Sequence, residues 1–269
     1  MKVTDLNLPL FLGSDELVPE SIPLNLFGEQ FSVYSKSAHY TYFVLKKKKI
    51  AFDLGFCPME AVPCKHVFLS HAHDDHSWGV LRHIQYRNLF GLPSAIYYLP
   101  AEVAEDLKEV IHAWFRFKGK PERMGPEVVG IKPNQTVNIQ KDFRIESFMA
   151  HHSVPSLGFN LFRNRESSEI PFLSYLGDHS VETLVLQPEH GKSKILAIEL
   201  TFLLEEELGK ARTYAHMHLN DLIQLVEQDY FQNEVLILKH VSSRYQKRQV
   251  EGILRGVLPE KILKKLIVI

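Results

Sequence analysis

The chain of 269 residues has almost no cysteine, no long apolar run and no excess of either charge. Each shortage removes a class of protein. Its two cysteines, Cys57 and Cys64, stand seven positions apart. That spacing makes neither a disulfide framework nor a zinc knuckle, and both read as small core residues kept reduced. No apolar stretch approaches the roughly 20 residues that span a bilayer, and the N-terminus shows no charged-then-apolar leader. The expected localisation is therefore cytoplasmic, with no membrane partner. The 31 basic side chains meet 32 acidic ones for a net charge of -1. This excludes the strongly basic profile of a protein whose whole surface grips nucleic-acid phosphates. Local basic clusters at 46–49, 116–123 and 244–248 read as solvated faces. Internal repeats and low-complexity tracts are absent from the sequence. A chain this long can bury about three-quarters of the surface its unfolded form exposes, so its core needs no staples. The expected organisation is one domain over residues 1–269.

What the chain does have is a dense histidine motif. Residues 71–76 read His-Ala-His-Asp-Asp-His, directly after Val67-Phe68-Leu69-Ser70. His71, His73, Asp75 and His76 thus put four ligand-type side chains at the end of an expected buried strand. Imidazoles and carboxylates gathered without a cation lose hydration and gain little. Imidazole suits zinc, iron and manganese alike, and a neighbouring carboxylate makes the donor set harder. A solvated histidine-rich turn is the bland alternative.

Aromatic and β-branched residues predict strands at 31–34, 40–45 and 50–52, with Lys46 to Lys49 as a polar turn between the last two. A short buried strand at 67–69 precedes the histidine motif. After His76 the spacing turns helical, with Trp78, Leu81, Ile84 and Phe90 as the expected inner face before Gly91-Leu92-Pro93. A strand at 96–99 leads into a second helix opened by Pro100-Ala101-Glu102 and carrying Val103, Leu107, Val110, Ile111 and Trp114. Residues 116–126 read as a loop. Strands resume at 127–131, 136–139, 143–149, 158–162 and 172–176, and the chain closes with helix, strand and helix. Two sheets covered by helices, an α/β sandwich, fit that order.

Three later strand ends also carry ligand-type residues. His151-His152-Ser153-Val154-Pro155 follows Met149, Gly177-Asp178-His179 follows Leu176, and His240 comes just after Val235-Leu236-Ile237-Leu238. Any one of them alone reads as a turn or cap. Four such ends in one chain point to a shared site.

These residues resemble the metallo-β-lactamase superfamily and, within it, ribonuclease Z. The resemblance also draws on Phe11-Leu12-Gly13, Phe52-Asp53, Gly79, Gly158, Glu199 with Thr201-Phe202, His216, and His240-Val-Ser-Ser-Arg-Tyr245. It implies a four-layer αββα sandwich with two mixed sheets facing each other, and two divalent cations, zinc first with manganese or iron as alternatives. Position by position it implies that His71, His73 and His152 hold one ion, that Asp75, His76 and His240 hold the other, and that Asp178 bridges them. Asp53 would orient a ligand histidine from behind. His152 rather than His151 matches the His-x-Val-Pro register, and successive side chains of an extended backbone face opposite ways.

The implied activity is phosphodiester hydrolysis, with RNA 3′ processing as its most specific form. Two close cations lower the pKa of a shared water and clamp the reacting oxygens. Asp75 is expected to orient the attacking water, and Glu199 with His216 to supply the leaving-group proton. A homodimer is a further expectation of the same resemblance. The chain departs from the family in four places. Ile198-Glu199-Leu200-Thr201 replaces His-Glu-Ala-Thr, and Ala215-His216-Met217-His218 replaces Gly-His-Ser-Thr, leaving His218 as an alternative to His216. The glycine-rich turn expected after Phe11-Leu12-Gly13-Ser14 is missing, and 116–126 is too short for the basic arm that reaches the transfer-RNA elbow. Rival activities are hydrolysis of a thioester, lactone or small cyclic phosphodiester, and di-iron redox chemistry.

Overall fold

Parallel strands buried on both faces read as continuous apolar runs, and they need helical crossovers to reach the next strand. The chain builds this arrangement twice. A computed structural model describes residues 20–121, 123–141, 143–163 and 169–269; Phe11-Leu12-Gly13 and the turn after it lie outside the described residues. In the first half Ile22–Leu26 (β1), Glu29–Lys36 (β2), Tyr40–Leu45 (β3) and Ile50–Leu54 (β4) form an antiparallel meander. His66–Phe68 (β5), Ile96–Pro100 (β6) and Glu127–Ile131 (β7) extend it in parallel. The second half repeats the plan. Thr136–Gln140 (β8), Phe143–Met149 (β9), Leu157–Arg163 (β10) and Leu173–Leu176 (β11) make the meander. Ile195–Glu199 (β12), Val235–Lys239 (β13) and Leu266–Val268 (β14) add the parallel strands. Each sheet therefore has seven strands in sequence order.

Helices fill the crossovers. Asp74–Ser77 (α1) and Gly79–Leu89 (α2) join β5 to β6, and Ala104–Phe117 (α3) joins β6 to β7. In the second half Glu182–Leu186 (α4) follows β11, Leu208–Tyr214 (α5) and Leu219–Glu227 (α6) follow β12, and Lys247–Val257 (α7) and Glu260–Leu263 (α8) follow β13. Among the described residues no helix is long and apolar enough to cross a membrane.

Three apolar layers result, as an αββα sandwich requires. Between the sheets Phe43, Phe52 and Phe68 meet Phe159, Tyr175 and Ile237, with the Phe52 and Tyr175 rings stacked at 5.1 Å between centroids. Outside the first sheet Val67, Leu69 and Tyr97 pack on Val80, Ile84, Ile111 and Phe115. Outside the second, Leu196, Ile198, Leu236 and Leu238 pack on Leu222, Leu225, Val250 and Leu254.

The expected strands at 40–45, 127–131 and 143–149 have the observed bounds, whereas β1 and β14 were not anticipated. The expected inner face of α2 is corrected. Trp78 and Phe90 are 68% and 54% exposed, whereas the expected Ile84 is buried together with Gly79, Val80, His83 and Arg87. His83 Nε2–H donates to the Ala61 carbonyl at 3.0 Å, and its Nδ1 accepts from the Tyr97 hydroxyl at 2.7 Å. The Arg87 guanidinium donates to the carbonyls of Val62, Cys64 and Pro93. Polar groups with all their partners supplied can face a core that a purely apolar pattern would deny them.

Two glycines set the depth at which the histidine motif lies. A Cβ on Gly55 would fall 1.8 Å from the Asp75 carbonyl oxygen, and one on Gly79 would fall 2.5 Å from that of Leu54. Only a residue without a side chain lets α1 and the start of α2 press onto the end of β4.

Candidate metal centre

In sheets of this kind, ligands gather beyond the carboxyl ends of the parallel strands. Asp53 sits at the end of β4, His71 just past β5, Asp178 just past β11, Glu199 at the end of β12 and His240 just past β13. The chain bends sharply at two of these points. Asp53 and His240 adopt left-handed backbone, with φ of 52° and 60°, a conformation that costs a non-glycine residue energy and clusters at functional sites.

Two main groups of ligand atoms converge there, and a third set of His216 with Asp178 and His240 overlaps them. His71 Nε2 and His152 Nε2 lie 3.0 and 3.4 Å from His73 Nδ1, and His71 Nε2 is 3.8 Å from Asp178 Oδ2. Beside them, His240 Nε2 lies 3.2 Å from Asp75 Oδ2 and 3.3 Å from Asp178 Oδ2. His76 Nε2 lies 3.8 Å from Asp75 Oδ2 and 3.2 Å from Asp178 Oδ1. Asp178 thus adjoins both groups. His71, His76, Asp178 and His240 are essentially inaccessible, while His73 and His152 are half-buried.

The hydrogen bonds behind these rings decide which nitrogens carry protons. Ser70 Oγ donates to Asp53 Oδ2 at 2.9 Å, so it accepts from His71 Nδ1–H, also at 2.9 Å. Asp53 Oδ2 accepts from His76 Nδ1–H at 2.8 Å and from the Tyr175 hydroxyl at 2.6 Å. The Ala215 carbonyl accepts from His152 Nδ1–H at 3.1 Å. Thr201 Oγ1 donates to Glu199 Oε2, so it accepts from His240 Nδ1–H at 3.0 Å. In their neutral form, four imidazoles therefore point Nε2 lone pairs at a shared space that also receives carboxylate oxygens. His76 Nε2 and Asp178 Oδ1 stand 3.2 Å apart, yet neither makes a hydrogen bond. Two buried acceptors in that relation need a proton or a metal cation between them. The nitrogen and oxygen donor set fits divalent zinc, iron or manganese.

The electrostatics agree. Burial first, and His76 next, drive His71 well below the usual imidazole range. Burial opposes ionisation of Asp178, but His240 and His76 outweigh it and hold the carboxyl well below its usual range. Against burial, Asp178 and Asp53 raise His76 to about 10. A cluster that would otherwise keep a proton on a sealed imidazole calls for positive charge.

Residues 55–241 match the family model of a β-lactamase superfamily domain. The chain belongs to that superfamily. A tRNase Z of Arabidopsis thaliana is 25% identical over 265 residues, covering 88% of this chain and 93% of the relative. The chloroplastic tRNase Z of the same plant is 25% identical over 264 residues, covering 87% and 73%. Among solved structures, the short form of human tRNase Z overlays with a TM-score of 0.56 at 17% identity, covering 85% of this chain and 87% of that one. The metallo-β-lactamase fold protein YhfI of Bacillus subtilis overlays with a TM-score of 0.65 at 14% identity, covering 89% and 95%. The chain thus resembles the ribonuclease Z branch of the superfamily in sequence, and its members in fold.

Next to the ligand cluster of this superfamily member lies the pair of Glu199 and His216. Glu199 is fully buried. Its Oε1 accepts from His216 Nδ1–H and from the His179 backbone N–H, both at 2.7 Å. Burial resists the charge on His216, but Glu199 outweighs it and raises the imidazolium to about 9. His218 does something else. It is fully buried, its Nε2–H donates to the Leu204 carbonyl, and its Nδ1 accepts from the Asn220 N–H to cap α6. His151 stays outside the ligand groups, its backbone N–H donating to Thr183 Oγ1 at 2.8 Å.

Several supporting residues escaped the sequence. Ala38, at the tip between β2 and β3, donates its N–H to Asp75 Oδ2 at 3.0 Å, and Ser35 Oγ accepts the His240 N–H at 3.0 Å. Tyr175 sits in an apolar strand with nothing to distinguish it. Ser70 and Thr201 were visible beside motif residues, but their partners were not. A cleft of about 440 Å3 opens over the cluster, lined in part by His73, His152, His216, Phe202, Tyr214 and Arg244.

Proposed function

We propose that the chain is a metal-dependent phosphodiesterase of the ribonuclease Z type, acting on RNA with two divalent cations, zinc before manganese or iron. His71, His73 and His152 would hold one ion, Asp75, His76 and His240 the other, and Asp178 would lie between them. The observation that carries this reading is the adjacency of two ligand groups, both next to Asp178, to the pair of buried Glu199 and half-buried His216, under one open cleft. The bound ions would supply Lewis acidity toward the phosphoryl group and a nucleophile from water at neutral pH.

The chain's own residues do the rest. Asp53, Ser70, Thr201 and the Ala215 carbonyl hold the ligand rings in one tautomer and one orientation. Ala38 N–H fixes Asp75 Oδ2, leaving its other oxygen to orient the attacking water. Glu199 keeps a proton on His216 Nδ1, so the proton that moves is the one on Nε2. With its pKa near 9, that imidazolium is charged at neutral pH and suited to protonate a departing oxygen. The two cysteines are free and buried, and desolvation pushes both thiols up to about 12. Unreactive thiols of this kind fit a cytoplasmic protein.

The relatives bear the name tRNase Z, and precursor transfer RNA is the specific substrate we assign. Residues 116–121 finish α3 and the turn after it, and 123–126 lead into β7. Of the basic groups there, Lys118 lies over the Trp114 ring and Arg123 over that of Phe115. Recognition would then rest more on the cleft than on an arm. The test is incubation of the metal-loaded protein with a precursor transfer RNA, mapping any cut against the discriminator base. Cleavage there establishes the reading. Hydrolysis of a thioester or lactone with inert phosphodiesters would replace it with a rival.

A further inference from the structure

One wall of the cleft is used neither by the ligand set nor by Glu199 and His216. Tyr214, the last residue of α5, lines the cleft with 57% of its surface exposed. Its backbone is tied to the centre at the next two positions. Ala215 adopts left-handed backbone at φ 54°, and its carbonyl receives His152 Nδ1–H at 3.1 Å. His216 then places Nδ1 on Glu199 at 2.7 Å. Three successive residues thus present an aromatic ring, the acceptor that orients a ligand imidazole, and the proton donor. A ring on that turn has a fixed relation to the reacting centre.

The same cleft holds a braced cation. Arg244 Nε donates to Ser242 Oγ at 3.1 Å, its Nη2 pairs with Glu207 at 3.0 Å, and its guanidinium lies 5.6 Å from the centre of the Phe202 ring. Phe202, the other apolar aromatic of the lining, is only 6% exposed and cannot offer a face. An accessible ring beside a fixed guanidinium and serine hydroxyls is the chemistry that receives a nucleotide. The base stacks on the ring, and the polar groups meet the sugar and phosphate. The cleft volume, about 440 Å3, lies within the range of small-ligand sites.

We infer that Tyr214 is a nucleobase-stacking platform that seats the nucleotide next to the scissile phosphodiester, and so determines specificity. The inference rests on the phosphodiesterase reading above. Its test uses the metal-loaded full chain and three esters with the same leaving group. These are the p-nitrophenyl phosphates of thymidine, esterified at the 5′ or the 3′ position, and methyl p-nitrophenyl phosphate, which has no base. The quantity read is the ratio of kcat/KM for the better thymidine ester to that for the methyl ester. In Tyr214→Ala the ratio falls about tenfold, carried by KM, because stacking contributes mainly to binding. In Tyr214→Trp it stays within about twofold of the wild type, since any aromatic face serves. An unchanged ratio in Tyr214→Ala, or an equal fall in Tyr214→Trp, overturns the platform. A wild-type protein that hydrolyses none of the esters overturns the phosphodiesterase reading itself, an outcome distinct from both.

Discussion

Replacing Asp53 by Asn probes the support of the metal centre without touching a ligand. The carboxylate is fully buried and accepts four hydrogen bonds: Ser70 N–H on Oδ1, and Ser70 Oγ, Tyr175 OH and His76 Nδ1–H on Oδ2. Asparagine tolerates the left-handed backbone that position 53 requires, so the conformation is kept. An amide cannot accept on both of its ends. If its oxygen keeps Ser70 N–H, its NH2 confronts two hydroxyls that can rotate away and one imidazole N–H that cannot. A bond to a charged acceptor contributes about 1.5–3 kcal/mol net, and an orphaned buried donor costs about 1–3 kcal/mol more. The expected loss is about 3–5 kcal/mol of stability in the metal-free protein, measured by urea denaturation. His76 also loses the partner that fixes its tautomer, so affinity for the ion we propose it holds falls by about 10–100-fold in a chelator competition. Undiminished metal affinity in a destabilised Asp53→Asn protein would refute the claim that this carboxylate orients His76.

The His216 imidazolium, held near 9 by Glu199 against burial, is charged below that pH and neutral above it. Turnover should therefore fall as pH rises through about 9, and Glu199→Gln should move that alkaline limb to lower pH; a limb that stays in place breaks the link between the two residues. His216→Ala should reduce kcat by roughly 10²–10⁴-fold with bound metal unchanged by elemental analysis, and loss of metal would make it a ligand instead. His218→Asn keeps a residue able to cap α6, so its turnover should far exceed that of His216→Ala, and equal losses would return the proton-donor role to dispute. Gly177→Ala would set a Cβ 2.2 Å from Ser70 Oγ and 2.3 Å from Ser70 Cβ. We expect about 1–3 kcal/mol of destabilisation together with weaker metal binding, since Ser70 holds His71; an unaltered urea midpoint would show that the packing there yields.

Much of this was legible because the informative residues are local. The histidine motif lies within six positions, and the parallel strands that end in ligands are short apolar runs of a kind periodicity detects. The sandwich followed from the order of strands and helices. Features that depend on distant partners were not legible. Tyr175 OH and Asp53 are 122 positions apart, and His240 N–H reaches Ser35 across 205. The face of α2 misled for another reason. Exposed Trp78 and Phe90 mimic an apolar stripe, while His83 and Arg87 are buried because carbonyls from 61 to 64 and Pro93 await them. The edge strands β1 and β14 escaped because nothing chemical marks their ends.

The twofold repetition of meander and crossover has a consequence for how the chain acquires its chemistry. His71, His73, Asp75 and His76 come from the first repeat, whereas His152, Asp178, Glu199, His216 and His240 come from the second. Neither ligand group is complete within one repeat, because His152, Asp178 and His240 join residues of the first. On the proposed reading, hydrolysis would therefore require both repeats to be in place.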